Sequence, residues 1–295
     1  MAALGCHTTS PHVTRAEVVI VDYRKQFGVA PGESCKLTKI DAGFTGHIKS
    51  REDGEQQLAK LCKTLEDLQY RMYAEQKRSL LVVLQGRDAA GKDGTIRNVF
   101  SAFNPQGCTV TSFKVPTALE AAHDFLWRCH AAAPARGQVA VFNRSHYEDV
   151  LVVRVHKLVD KEVWSQRYAH INGFEELLHD NRTHIVKFFL HIDREEQLER
   201  FGKRLEDPAK NWKISDADYS EREYWDDYTT AFEDAMEKCS TKHAPWYVIP
   251  SNRKWFRNLA IAQILVDTLQ DMDMQLPEPS VDMNEIRQKY HAAAE

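Results

Sequence analysis

Between Leu80 and Ile249 short apolar runs alternate with stretches whose apolar residues recur every three or four positions. The runs Leu80–Leu84, Thr109–Phe113, Val139–Phe142, Ile185–Ile192 and Trp246–Ile249 are rich in Val, Ile and Phe and predict strands. The stretches between them predict helices over Thr95–Ala102, Leu119–Ala131, Lys161–Asp180, Arg194–Leu205 and Glu221–Cys239, with a last one over Phe256–Asp271. Ahead of the first strand, Leu58, Leu61, Leu65, Leu68 and Met72 form one apolar face, which predicts a helix from Glu55 to Lys77. Asp193 with Glu196, and Ser220 with Glu223, have the spacing of capping boxes. Apolar strands separated by helices imply parallel βαβ units covered on both faces. The expected fold is α/β, a three-layer sandwich around a mainly parallel five-stranded sheet.

Residues 1–52 are rich in Gly, Pro, Ser and Thr, and predict an irregular N-terminal arm before a domain over 53–275. Pro277 and Pro279 open a polar tail, 276–295. The chain has 295 residues, enough for a sizeable core. Its net charge of −4 does not steer it toward nucleic acid or acidic membranes, so any anion site must come from local basic clusters. No CxxC pair occurs among the six cysteines, which fits reduced thiols in a cytoplasm. No secretory signal pattern opens the sequence, and no window approaches the roughly 20 apolar residues of a membrane helix. The thirteen histidines lack HxxxH or HxH spacing, which argues against a zinc site.

The first strand runs into Gly86-Arg87-Asp88-Ala89-Ala90-Gly91-Lys92-Asp93-Gly94-Thr95, with the G-x-x-x-x-G-K spacing of a phosphate-binding loop. Its glycines let successive N–H groups turn inward, Lys92 reaches outer phosphates, and the next helix presents its positive end. Asp93 stands where a Ser or Thr usually ligates Mg²⁺; Thr95 has a hydroxyl two residues on. Asp88 inside the loop would repel an anion by several kcal/mol in a closed site. A divalent cation bridging carboxylate and phosphate removes that conflict. Asp88 is therefore a candidate metal ligand or a partner of one, while Asp93 has either a metal role or a helix-capping role.

The third strand ends in Asn143-Arg144-Ser145-His146-Tyr147-Glu148-Asp149, at the sheet edge where ligands of parallel sheets bind. Arg144 and Arg154 are candidate phosphate clamps. Glu148 and Asp149 are candidate carboxylates for a metal, and His146 either contacts phosphate or packs. Lys114 and Lys254 follow other strands at the same edge. Arg200, Lys203 and Arg204 share a helix face, with Lys210 and Lys213 beyond it. A lid at about 200–225 carrying these cations would give a polyanion a lane of charge.

GRDAAGKDGT, SFKVPT, FNRSHYEDVLVVRVH, KFFLHIDREEQLER and APWYVIPSNRKWFRN, in this order, resemble the polyphosphate kinase type 2 family from about Leu80 to Leu269. The resemblance implies a P-loop kinase, thymidylate-kinase-like fold with a helical lid. It implies phosphoryl transfer between inorganic polyphosphate and nucleotides with Mg²⁺, or Mn²⁺ in its place, by a homo-oligomer, dimer or tetramer. Adenine nucleotides are the expected partners, with guanine as the alternative base. Some family members have Asp-Arg-Ser where this chain has Asn143-Arg144-Ser145, and the sequence resembles the branch that accepts mono- as well as diphosphates. Carried over by position, Asp88 and Asp149 hold the metal, and Lys92 and Arg144 hold the transferring phosphates. Glu148 is the other candidate for the missing third-strand carboxylate.

Overall fold

The computed structural model describes residues 22–294. The elements in chain order are α1 (Tyr23–Phe27), β1 (Gly28–Val29), α2 (Arg51–Glu75), β2 (Ser79–Gly86), α3 (Lys92–Val99), β3 (Cys108–Ser112), α4 (Ala118–Ala121), α5 (Trp127–Ala131) and β4 (Val139–Asn143). They continue as α6 (Val152–Val155), α7 (Lys161–Asp180), β5 (Thr183–His191), α8 (Arg194–Glu206), α9 (Asp216–Ser220), α10 (Trp225–Cys239), β6 (Trp246–Pro250), α11 (Lys254–Asp271) and α12 (Met283–Ala293).

Among the described residues the sheet has six strands in the order β1-β6-β5-β2-β4-β3, and only the β1–β6 pair is antiparallel. The sheet is thus α/β and mainly parallel as expected, with one more strand. That strand, β1, has two residues and no apolar period to betray it. The β2 run explains why its sequence shows no polar alternation. Leu80, Val82 and Leu84 enter one core layer, under α2 and α11; Leu81 and Val83 enter the other, under α7 and α10. All five are fully buried, and each contributes roughly 1.5–3 kcal/mol by leaving water.

After β4 the chain crosses β2 to reach β5, so the turns after β2 and β4 adjoin at the carboxyl edge. α2 is capped at Ser50, whose hydroxyl accepts from the Asp53 N–H at 3.1 Å. It lies against α11 so closely at Gly54 that a Cβ there would come 2.4 Å from the Trp255 ring.

Several boundaries differ from the sequence expectation for local reasons. Residues 22–52 are less irregular than their composition implies. Asp22 caps α1 by accepting from the N–H groups of Arg24 and Lys25, and Phe27 packs edge-on against Phe44 and Phe256. The helix expected over Leu119–Ala131 is two short helices, because Asp124 accepts from the Leu126 N–H and turns the chain between them. The Asp193 cap forms, with its carboxylate accepting from the Glu196 N–H at 2.7 Å. The Ser220–Glu223 cap does not; the box is Ser215 with Asp218, and Ser220 ends α9 by donating back to Asp216 and Ala217. Inside the polar tail α12 forms, with Asp282 as its N-cap.

Candidate active site

The loop after β2 passes through Ala89 and Gly91 with φ of 61° and 108°. Arg144, after β4, also has a left-handed φ of 61°. A side chain in that region costs about 1 kcal/mol or more, and such positions concentrate where a ligand dictates backbone direction. α3 starts at Lys92 with Asp93 in its first turn.

Lys92 lies across the loop, its ammonium donating to the carbonyls of Gly86 at 2.6 Å and Arg87 at 3.2 Å. Burial, then the charge of Arg144, pushes the Lys92 ammonium down to about 8. Arg144 donates to Asp88 at 2.8 Å and lies 3.7 Å from Glu148. Asp88, Glu148 and Asp93 all pull the Lys92 pKa upward, so three carboxylates share its field. Burial raises the Glu148 pKa, against the pull of Arg144 and Lys92. Asp93 accepts from the Asn143 amide at 3.0 Å and lies 3.5 Å from the Lys213 ammonium. Burial opposes ionisation of Asp93, but the Asn143 bond and the Lys213 charge outweigh it and hold its pKa below the usual range.

Not every expected residue joins this cluster. Asp149 turns away: its carboxylate accepts from Arg167 at 2.9 Å and lines a separate cavity of about 510 Å³ with Arg128, Phe125 and His170. The expected pair Asp88–Asp149 is therefore replaced in space by Asp88–Glu148, because the short 3₁₀ turn His146–Val150 points successive side chains in different directions. His146 is fully buried, with its Nε2 3.1 Å from Glu175, and packs rather than facing a ligand. Arg87 leaves the loop: its guanidinium lies 3.7 Å over the Trp225 ring and donates to the Trp225 carbonyl. Arg154 pairs with Asp234 at 2.7 Å on the α10 side.

The segment expected as a lid is α8, a 3₁₀ turn at Asn211–Lys213, α9 and a second 3₁₀ turn at Glu221–Tyr224. Arg200 is buried behind the loop, not presented by the lid. Lys203 and Lys210 pair with neighbouring Glu199 and Asp207. Arg204 lies 3.8 Å from Asp218. Besides Arg200, Lys213 reaches the loop, through Asp93 at 3.5 Å. Lys114 is exposed after β3. Thr95 is fully buried under the loop, and its hydroxyl has no hydrogen-bond partner among the described residues.

The family model for Polyphosphate kinase 2 (PPK2) matches residues 48–277. The chain belongs to the polyphosphate kinase 2 family. It is 47% identical over 263 residues to an AMP/ADP-polyphosphate phosphotransferase of Meiothermus ruber, covering 89% of this chain and 98% of that one. It is 43% identical to an ADP-polyphosphate phosphotransferase of Rhodopseudomonas palustris, over 86% and 92% of the two chains. The crystal structure of polyphosphate kinase 2 from Arthrobacter aurescens superposes with a TM-score of 0.89 at 41% identity, over 92% of this chain and 97% of that one.

Within this polyphosphate kinase 2 chain, several residues at the site carried no sequence signal strong enough to single them out. Gln85 follows the apolar run Leu80–Leu84 in β2, is 1% exposed, and donates to Ser145 at 3.1 Å. A buried amide closing an apolar run was the available clue. Gln197 donates to the Asp88 carbonyl at 2.9 Å and accepts from Arg222 at 2.7 Å, tying the loop to the 3₁₀ turn Glu221–Tyr224. Arg257, in the WFRN end of a quoted motif, donates to the Ala90 carbonyl at 3.1 Å. Under the turn after β4, Lys187 and Glu175 pair at 2.5 Å, and both bond the Tyr147 hydroxyl.

Proposed function

We propose that this chain transfers phosphoryl groups from inorganic polyphosphate to AMP and ADP, forming ADP and ATP. The observation that carries the reading is the convergence of the β2 loop, Lys92, Arg144, Asp88 and Glu148 at one sheet edge. The relatives' names supply the donor and the acceptors.

The acceptor's terminal phosphate is largely ionised near pH 7, its second pKa being about 6, so no strong general base is required. The difficulty is bringing two anions into line. Among the described residues the Lys92 ammonium bonds only carbonyl oxygens, which it can exchange for phosphate oxygens. Arg144, with its planar fork, holds a second phosphate while it keeps Asp88 and Glu148 in place. Asn143 fixes Asp93, and Asp93 holds Lys213 of the lid segment beside the loop.

Among the described residues no group of three or more His, Cys, Asp or Glu side chains forms a metal cage. Two carboxylates beside a phosphate loop nevertheless suit Mg²⁺, which prefers one or two carboxylates plus phosphate oxygens and water. Asp88 and Glu148 would hold it, and Mn²⁺ has the same ligand chemistry. When bound it would neutralise charge on the donor and acceptor phosphates. Thiols such as Cys129 and Cys239, free and buried, fit a reducing cytoplasm, and the homo-oligomer is proposed from the family resemblance.

The test is a donor assay. With AMP or ADP, Mg²⁺ and polyphosphate as sole donor, ADP and ATP form. Product appearing only when ATP is the donor would replace this reading with an ATP-dependent nucleoside monophosphate kinase on the same fold. Nucleotide binding without turnover on any donor would make the chain a regulator. Repeating the assay with GMP and GDP tests the base.

A further inference from the structure

Two arginines stand behind the phosphate loop. Arg200 of α8 is 5% exposed and Arg257 of α11 is 1% exposed. Arg200 donates to the carbonyls of Ala89 at 2.7 Å and Ala90 at 3.0 Å through one nitrogen, and to those of Ser251 and Asn252 through another. Arg257 donates to the same Ala90 carbonyl at 3.1 Å and is held by the Asn258 side chain at 2.8 Å. Its guanidinium fills the space behind two glycines: a Cβ on Gly91 would lie 1.8 Å from its Nη1, and one on Gly94 would lie 3.2 Å from its Nη2.

The two cations differ in their compensation. Arg200 pairs with Glu196 at 2.7 Å. Arg257 makes no ion pair among the described residues, and the charged neighbours that bear on it, Arg200 and Lys254, are also cations. A buried charge without a counter-ion is costly, so a site that keeps one has a use for it. The peptide geometry indicates the use. In a planar trans peptide the C=O and the following N–H point in opposite directions. Holding the Ala90 carbonyl from behind therefore aims the Gly91 N–H forward, where a phosphate would sit, and that N–H bonds nothing else among the described residues.

We propose that Arg257 is a positioning residue for polyphosphate capture: with Arg200 it orients the Gly91 N–H toward the bound phosphate, and its own buried charge is balanced by that phosphate. The inference rests on the loop being the phosphate site. It adds a residue that touches no substrate and acts through the backbone and the field.

The test measures thermal melting of the full chain with increasing inorganic tripolyphosphate at a fixed concentration of free Mg²⁺. Wild type, Arg257→Met and Arg257→Lys are compared. Tripolyphosphate raises the wild-type melting temperature, and the half-saturating concentration rises about tenfold or more in Arg257→Met, the loss expected for a charge-assisted contribution. Arg257→Lys, which keeps the charge, recovers part of that loss. In turnover, KM for polyphosphate rises by the same factor while KM for AMP does not. A purely structural role predicts a lower melting temperature without ligand and an unchanged half-saturating concentration, and that result in a folded variant would overturn the proposal. Should Arg257→Met not fold, Arg257→Gln, which keeps a donor for Ala90 but no charge, takes its place under the same criterion. No tripolyphosphate response in the wild type would instead sink the phosphate reading of the loop, and this inference with it.

Discussion

The guanidinium of Arg144 donates to the carboxylate of Asp88 at 2.8 Å, joining the turn after β4 to the loop after β2 across 56 residues of sequence. This contact explains how a carboxylate is tolerated inside a phosphate loop. The aspartate is neutralised by the same arginine that would clamp a phosphate, so charge at the site balances in pairs.

Replacing Asp88 by Asn removes a candidate metal ligand without removing a buried group. The pair is about one-third exposed on both sides, at 39% and 34%. Such pairs are worth no more than about 1 kcal/mol, so the melting temperature should move little. Transfer from polyphosphate should nonetheless be abolished. Near wild-type turnover in Asp88→Asn would remove the metal role.

Lys92→Ala is expected to lower kcat by about 10²–10³-fold, the usual loss when one preorganised cationic donor is removed from a transition state. Steady-state kinetics with polyphosphate and AMP measure it. The fold should persist, because Lys92 bonds two carbonyls that belong to the loop itself.

Gly91→Ala tests the loop from its covered side. The residue has φ of 108°, and its new Cβ would meet the Arg257 guanidinium at 1.8 Å. Strain and displacement together should destabilise the protein by about 2 kcal/mol or more, read by urea unfolding. Unchanged stability would mean the loop does not rest on Arg257.

The Glu175–Lys187 pair gives a prediction about pH. Burial disfavours the Glu175 carboxylate, but Lys187 and His146 outweigh it and depress its pKa below the ordinary 4.5. A depressed carboxylate adds stability above its unfolded pKa and loses it as pH falls through the folded value. Acid unfolding below about pH 4.5 should therefore draw on this residue. Glu175→Gln should flatten the acid limb of the stability profile. At pH 7 either Glu175→Gln or Lys187→Met alone should cost about 3–5 kcal/mol by leaving its partner buried and uncompensated, and the double variant should recover part of that. Additive losses in the double variant would show that the pair is not coupled.

Much of the fold was legible because both faces of the central strands are covered. A run such as Leu80–Leu84 has no room for a polar residue, and its length and flanking glycine mark it as a strand. Short elements escaped: α1 and β1 have five and two residues, too few for any period. The site was legible in its parts. The loop could be recognised because glycine spacing is a local property of the backbone, and the polar cluster after β4 because charge is unexpected directly after a buried strand.

Which members of that cluster face one another was not legible. Glu148 and Asp149 are neighbours and both candidate carboxylates, with Asp149 the one the resemblance favours, yet the 3₁₀ turn sends Glu148 toward Lys92 and Asp149 toward Arg167. Arg200 reads as a lid cation from its place on a charged helix face, yet its side chain runs inward to the loop's carbonyls.

The sequence by itself determined the alternating α/β order, the phosphate loop and the family, since these depend on periodicity and on contiguous motifs. Only the tertiary structure decided the carboxylate beside Asp88, the pairing of Asp93 with Asn143 and Lys213, and the two arginines behind Ala90. Those relationships join residues 50 to 167 positions apart. Their direction is set by how helices pack across the sheet, which no local pattern encodes.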